Sequence, residues 1–311
     1  MHRSIRIGVA ALGITALAAV PAAAIQLFGS EDATGDNIHR IDPSTGVPFL
    51  VGPAGQDLSF TGMAFDTSTG TLYVSDVTSP TTPFAWGLGR VDIFTGAVTY
   101  IGDHVSSTDI HGLAYDSAND VLYGADTEGP NLSTIDRATG AATAVGSFGS
   151  VSSIRGLAYD PVGDVLYGVD DTNLYTINRA TGAATVVGPH GVTTDTFAVG
   201  LEYDALAGIL YATFSNGGGG APEAPPPSNA ARSEAPAGGA GQTTSFYTID
   251  PATGGATLVA DTGIVRIDGL AGIPTAATWV EIPTLGAAGL AALVAALGAA
   301  GFVALRRRRA A

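Results

Sequence analysis

Residues 156 to 188 read Gly-Leu-Ala-Tyr-Asp, Pro-Val-Gly-Asp, Val-Leu-Tyr-Gly-Val-Asp, Asp-Thr-Asn, Leu-Tyr-Thr-Ile-Asn, Arg-Ala-Thr-Gly, Ala-Ala-Thr-Val-Val-Gly. Four short runs rich in Val, Leu, Tyr and Thr are separated by turn-forming Asp, Asn, Pro and Gly, the pattern of strands joined by tight turns. The unit recurs. Its Gly-Leu-Ala-Tyr-Asp strand has counterparts starting at Gly62, Gly112, Gly156, Gly200 and Gly269, at spacings of 50, 44, 44 and 69 residues. A period near 44 residues with four strands per unit predicts the blade of a β-propeller. The last interval is long because residues 216–242 form an insertion of Gly, Ala, Pro and Ser around Pro225-Pro226-Pro227. Such a composition cannot bury a core.

Blade count follows from closure. Ile25-Gln-Leu-Phe-Gly29 aligns with Val165-Leu-Tyr-Gly168 and is followed by Ile38 to Asp42 and by Val51-Gly52, which are the second, third and fourth strands of a blade lacking its first. Asp268-Gly-Leu-Ala-Gly272 is a first strand lacking its partners. Joined, the two ends complete a fifth blade and leave no open sheet edge. The expected fold is therefore all-β: a five-bladed propeller over residues 25–275, built of four-stranded antiparallel blades. The repeat resembles the blades of exported bacterial propellers of the YVTN and NHL kinds.

Both ends of the chain carry membrane signals. Arg3 and Arg6 precede an apolar run from Ile7 to Val20 and the small residues Ala22-Ala23-Ala24, which predicts a Sec signal peptide over residues 1–24. After a linker at 276–281, the segment from Leu285 to Leu305 is 21 residues without a charge. As a helix it spans roughly 31 Å, a bilayer's hydrocarbon thickness. Arg306 to Arg309 behind it predict a cytoplasmic end and an exterior propeller. Ile282, Pro283, Thr284 and Leu285, an apolar helix and an arginine cluster, in that order over residues 282–311, resemble the IPTL-CTERM class of sorting signals in Gram-negative bacteria. The resemblance implies recognition by an exosortase-type transpeptidase, transient anchoring in the membrane by the C-terminal helix, and delivery to the cell surface or extracellular matrix.

Charge narrows the partners. Removing the six arginines of the two ends from 13 basic residues leaves 7 against 28 acids, so the exported part carries about −21. That argues against nucleic acid and anionic lipid surfaces. No cysteine is present, so the propeller folds without disulfides.

The acids divide by position. Asp42, Asp92, Asp136 and Asp250 open the third-to-fourth-strand turn, where the copy starting at Gly156 has Asn178, and Asp66, Asp116, Asp160 and Asp204 open the first-to-second-strand turn. Both sets read as turn chemistry. Glu202 stands where Ala64, Ala114, Ala158 and Ala271 stand in the other copies, and so predicts a carboxylate between blades that needs a partner or a raised pKa.

Function is expected where the repeats disagree, on the face carrying the second-to-third-strand loops and the blade-to-blade connections. There the residues before the inner-strand glycines, Thr61, His111, Arg155, Val199 and Asp268, are expected to ring the channel mouth as ligand contacts. Asp103, His104, Asp109 and His111 flank one connection and read as loop residues rather than a metal set. Calcium is the better candidate cation, at loop acids such as Asp76, Asp126, Asp170 and Asp171. No nucleophile elbow, phosphate loop, zinc spacing or EF-hand appears, and no catalytic residue is assigned. The expectation is a non-enzymatic surface or matrix binding and scaffold module for an extracellular glycan or matrix protein. A glycoside hydrolase or lyase acting through Asp268 and Glu202, and a purely structural surface protein, are the alternatives.

Overall fold

The computed structural model describes residues 25–31, 35–80, 85–104, 108–192, 197–215 and 243–274. The expected signal peptide, the insertion, the linker and the sorting tail lie outside the described residues. Among the described residues, no helix is long and apolar enough to cross a membrane.

Twenty strands form five four-stranded antiparallel sheets. Blade one pairs β20 (Ile267–Pro274) with β1 (Ile25–Glu31), then β2 (Asn37–Ile41) and β3 (Pro48–Pro53). Blade two runs through β4 (Met63–Asp66), β5 (Thr71–Thr78), β6 (Trp86–Val91) and β7 (Val98–Asp103). Blade three is β8 (Ile110–Asp116), β9 (Val121–Asp126), β10 (Asn131–Ile135) and β11 (Ala142–Ser147). Blade four is β12 (Gly156–Asp160), β13 (Val165–Val169), β14 (Asn173–Ile177) and β15 (Ala184–Pro189). Blade five is β16 (Phe197–Asp204), β17 (Ile209–Ser215), β18 (Thr244–Ile249) and β19 (Ala256–Asp261). The pairing of β1 with β20, with Phe28 opposite Ala271 and Gly29 opposite Leu270, joins the two ends of the propeller sequence in one sheet.

The ring closes on glycine. A methyl carbon placed at Gly62 would lie 2.5 Å from the Leu113 nitrogen of the next blade, one at Gly200 2.6 Å from the Asp268 carbonyl, and one at Gly269 3.0 Å from the Met63 nitrogen. Inner strands therefore approach backbone to backbone around the axis, which only a residue without Cβ permits.

Five apolar clusters lie between neighbouring blades, one for each junction. At most junctions a small residue of one inner strand meets an aromatic ring of the next: Ala64 with Tyr115, Ala114 with Tyr159, Ala158 with Tyr203, and Ala271 with Phe65. The fifth junction inverts the volumes. Gly272 occupies the aromatic position, and Glu202 of blade five points at it, with a Cβ at Gly272 falling 2.9 Å from Glu202 Oε1. Burial pushes the Glu202 carboxyl up to about 8, against a backbone hydrogen bond from Gly272 that favours the ionised form. The anomalous glutamate is thus half of an exchanged large-and-small pair.

Candidate functional site at the irregular face

The turn carboxylates are spoken for. Asp66 Oδ1 accepts the Ser68 and Thr69 N–H groups at 2.8 and 3.1 Å, and Asp116, Asp160 and Asp204 repeat this pattern. Asp136 does the same in the other turn, as does Asn178 in blade four. Two arginines then clasp blades together. Arg137 bonds Asp66 of the preceding blade and Asp120 of its own, at 2.7 Å for the latter, beneath the Tyr115 ring. Arg179 repeats the arrangement with Asp116, Asp164 and Tyr159.

On the opposite face the residues before the inner glycines meet different fates. Thr61 is fully buried and bonded to the Ser30 hydroxyl. Asp268 is also fully buried, with Arg266 Nη2 3.6 Å from its carboxylate. Arg155 remains accessible and pairs with Asp171 of its own blade at 2.8 Å. The Val199 side chain lies outside the described residues. His111 is the extra residue of a β-bulge, between Ile110 and Gly112 of β8, and bulges re-aim side chains.

The cation candidates from the sequence do not converge. Asp126 Oδ1 accepts N–H groups from Asp109, Glu128 and Gly129, while burial raises its pKa. Asp170 accepts from Thr172, Asn173 and the Tyr175 hydroxyl. Asp103 is bonded by the Tyr100 hydroxyl. His104 is buried beneath the next blade with Nδ1 2.8 Å from the Gly140 carbonyl, and burial lowers its pKa. His190 occupies the same place two blades on, against Phe214.

What does converge is Asp76 with Asp109 and His111, whose ligand atoms all lie within 4.8 Å of one another. Asp76 is fully buried, sits in a left-handed conformation (φ 50°) where β5 loses register with β6, and accepts the Ile110 N–H at 3.1 Å. Asp109 Oδ2 is 3.1 Å from His111 Nε2. The Phe60 ring stacks on His111 at 5.1 Å and 9°, and the Arg266 guanidinium lies over the Phe60 ring, 4.2 Å from its centroid. Phe60 and Arg266 are themselves left-handed, at φ 48° and 55°. Non-glycine residues in that region cost of order 1–3 kcal/mol each and gather where the surrounding structure holds a functional geometry.

Sequence reading separated Asp109 and His111 from Asp76 and overlooked Phe60 and Arg266. A signal existed in the repeat columns. Phe60 replaces the aliphatic residue found at Ile110, Ile154 and Ile267, and an acid follows the second strand's small or branched residue at Glu31, Asp76, Asp126 and Asp170.

Comparison with known proteins finds a sorting motif at the end of the chain. Residues 282–309 match the IPTL-CTERM motif, which marks an exported cell-surface protein and implies processing by an exosortase-type enzyme. The chain is a five-bladed propeller carrying that C-terminal signal. No curated protein matches it. Among solved structures it is similar to a chain of a nidogen/laminin complex, at 15% identity over 80% of this chain and 97% of that one, with a TM-score of 0.47. It is also similar to a protein of unknown function from Bacteroides thetaiotaomicron, at 16% identity over 79% and 62% of the two chains, TM-score 0.46. A third is the gluconolactonase XC5397 from Xanthomonas campestris, at 18% identity over 60% and 65%, TM-score 0.42.

Proposed function

We propose that this protein is a non-enzymatic binding and scaffold propeller, delivered to the cell surface or extracellular matrix by a signal peptide and a C-terminal tail, with an extracellular glycan or matrix protein as its ligand. The observation that carries the reading is the division of labour between the faces. One face commits its carboxylates to turns and interblade clasps, while the other presents Arg155, Asp171 and the group around His111 on irregular connections. Such asymmetry suits recognition of an irregular surface on loops held by a rigid frame.

Hydrolysis across the channel is poorly supported. Glu202 faces Gly272, four residues along β20 from Asp268, which is about 13 Å of strand. Two carboxylates flanking a glycosidic bond need about 5–9.5 Å. Asp268 is in addition buried beside Arg266.

The test is retention of extracellular polysaccharide and matrix fractions on the immobilised full-length protein, with product analysis of everything that flows through. Retention without new reducing ends or other products, weakened by Arg155→Ala, is expected. Turnover abolished by Asp268→Asn or Glu202→Gln would replace the binding reading with the hydrolase one.

A further inference from the structure

The geometry points to a divalent transition-metal site, of the zinc class, formed by Asp76, Asp109 and His111. Three donors from two adjacent blades meet there: one carboxylate from the end of β5, one from the connection entering β8, and an imidazole from the bulge in β8. Their ligand atoms, all within 4.8 Å of one another, need only a small contraction to share an ion at the usual 2.0–2.2 Å.

A second observation lies in His111 itself. Its ring is about nine-tenths buried, yet neither ring nitrogen takes part in a hydrogen bond among the described residues. A buried imidazole ordinarily satisfies at least one nitrogen, as His39 does with Glu31 and His104 with the Gly140 carbonyl. Nε2 of His111 instead lies 3.1 Å from Asp109 Oδ2, as an ion pair. Coordination would satisfy that nitrogen and place a positive ion beside two carboxylates, one of them fully buried.

The supporting contacts resemble those that orient metal ligands. The Ile110 N–H holds Asp76 Oδ1 at 3.1 Å, and the Phe60 ring fixes the plane of the imidazole. Donor chemistry selects the metal. One imidazole and two carboxylates suit zinc and its first-row neighbours, whereas calcium takes six to eight oxygens and finds two carboxylates in this group among the described residues. Three protein donors also leave a fourth position for an exchangeable water or ligand oxygen.

The experiment uses the full chain in detergent, without a histidine tag, stripped of metal and titrated calorimetrically with zinc and, separately, calcium. Cobalt substitution follows, with visible spectroscopy. One zinc ion per chain is expected, together with a cobalt absorption band of four- or five-coordinate intensity and much weaker calcium binding. His111→Gln and Asp109→Asn should each weaken zinc by at least about 100-fold, beyond what loss of an outer-shell partner does. Asp109 is the more accessible ligand, so its variant tests the site even where His111→Gln fails to fold. Asp171→Asn, on the same face but in blade four, should leave the titration unchanged. Absence of zinc binding, binding insensitive to both ligand variants, or a preference for calcium would each overturn the assignment.

Discussion

On the turn face of the disc, Asp66, Asp116, Asp160 and Asp204 each accept two backbone N–H groups, and the arginines that reach Asp66 and Asp116 come from the next blade. On the loop face, Asp76 and Asp109 turn toward one imidazole across a blade junction, held by residues in left-handed conformations. The same residue type stabilises the frame at one end and gathers around a histidine at the other. Repetition explains the difference. A carboxylate repeated from blade to blade is fixed by the turn it caps, whereas Phe60 departs from its column, Asp109, His111 and Arg266 stand in columns that share no residue, and the backbone leaves regular strand geometry around them.

The comparison breaks most completely if the frame is not a closed ring. Deleting residues 25–52 removes three of the four strands of blade one and exposes both β20 and the inner face of blade two. The expected outcome is loss of the cooperative thermal transition and rapid proteolysis. Deleting 217–241 should leave the transition within a few degrees, because Ser215 and Thr244 already face each other as paired residues of β17 and β18 and a short turn can join them. Equal damage from both deletions, read by calorimetry, would refute closure.

Glu202 is the frame's own departure, and its effect should be the next largest. Its carboxyl is pushed up to about 8 from a starting value of 4.5, so the folded state keeps a proton that the unfolded state has lost. Stability from this group is therefore full below pH 4.5 and declines as pH rises to about 8, by at most about 5 kcal/mol. Glu202→Gln should match the parent near pH 5 and exceed it by roughly 2–4 kcal/mol at pH 9 in urea melts. Parallel pH profiles for the two proteins would show that the exchanged pair with Gly272 does not hold a neutral carboxyl.

A smaller effect is expected at the clasps. Arg137→Gln deprives the fully buried Asp66 carboxylate of its charged partner and should cost about 1–3 kcal/mol. Arg90, exposed on β6, serves as the control, and Arg90→Gln should stay within about 0.5 kcal/mol. Burial alone would raise the Asp66 pKa, but hydrogen bonds from Ser68 and Thr69 hold it near 2. The carboxylate therefore adds stability above pH 3.8 that is lost as pH falls toward 2. Acid melts of the parent should steepen in that window.

The blade period, the turn carboxylates and the ring closure were legible in the sequence because each is written several times and each copy confirms the others. Glu202 was legible only as an exception. Its meaning depends on Gly272, which lies 70 residues away and becomes its neighbour through the register of two blades. The loop-face group was harder still. Asp76 precedes Asp109 by 33 residues, and the two meet through a left-handed turn in β5 and a bulge in β8, neither of which leaves a mark in hydrophobic periodicity. Burial also inverted the expected ring of ligand contacts, since the tight glycine approach at the axis draws Thr61 and Asp268 into the wall and leaves Arg155 outside.

The finest distinction lies within the turn face itself. Blade four uses Asn178 where blade three uses Asp136, and the two side chains make the same pair of bonds: Asn178 to Ala180 and Thr181 at 2.9 and 3.1 Å, Asp136 to Ala138 and Thr139 at 2.8 and 3.0 Å. If the position serves only the turn, its charge is dispensable and its acceptor is not. Asp136→Asn should therefore leave the melting temperature within about 1 °C at neutral pH, while Asp136→Ala should lower it measurably. The hydrogen bonds from Ala138 and Thr139 hold the Asp136 pKa down, so whatever the ionised group contributes fades only in acid, below its unfolded value of 3.8. The asparagine variant has no such titration and should lose less stability than the parent between pH 4 and pH 2. An asparagine variant that melts as early as the alanine one at neutral pH would show that the carboxylate's charge has a use beyond the turn, and the division between a committed face and a free one would have to be redrawn.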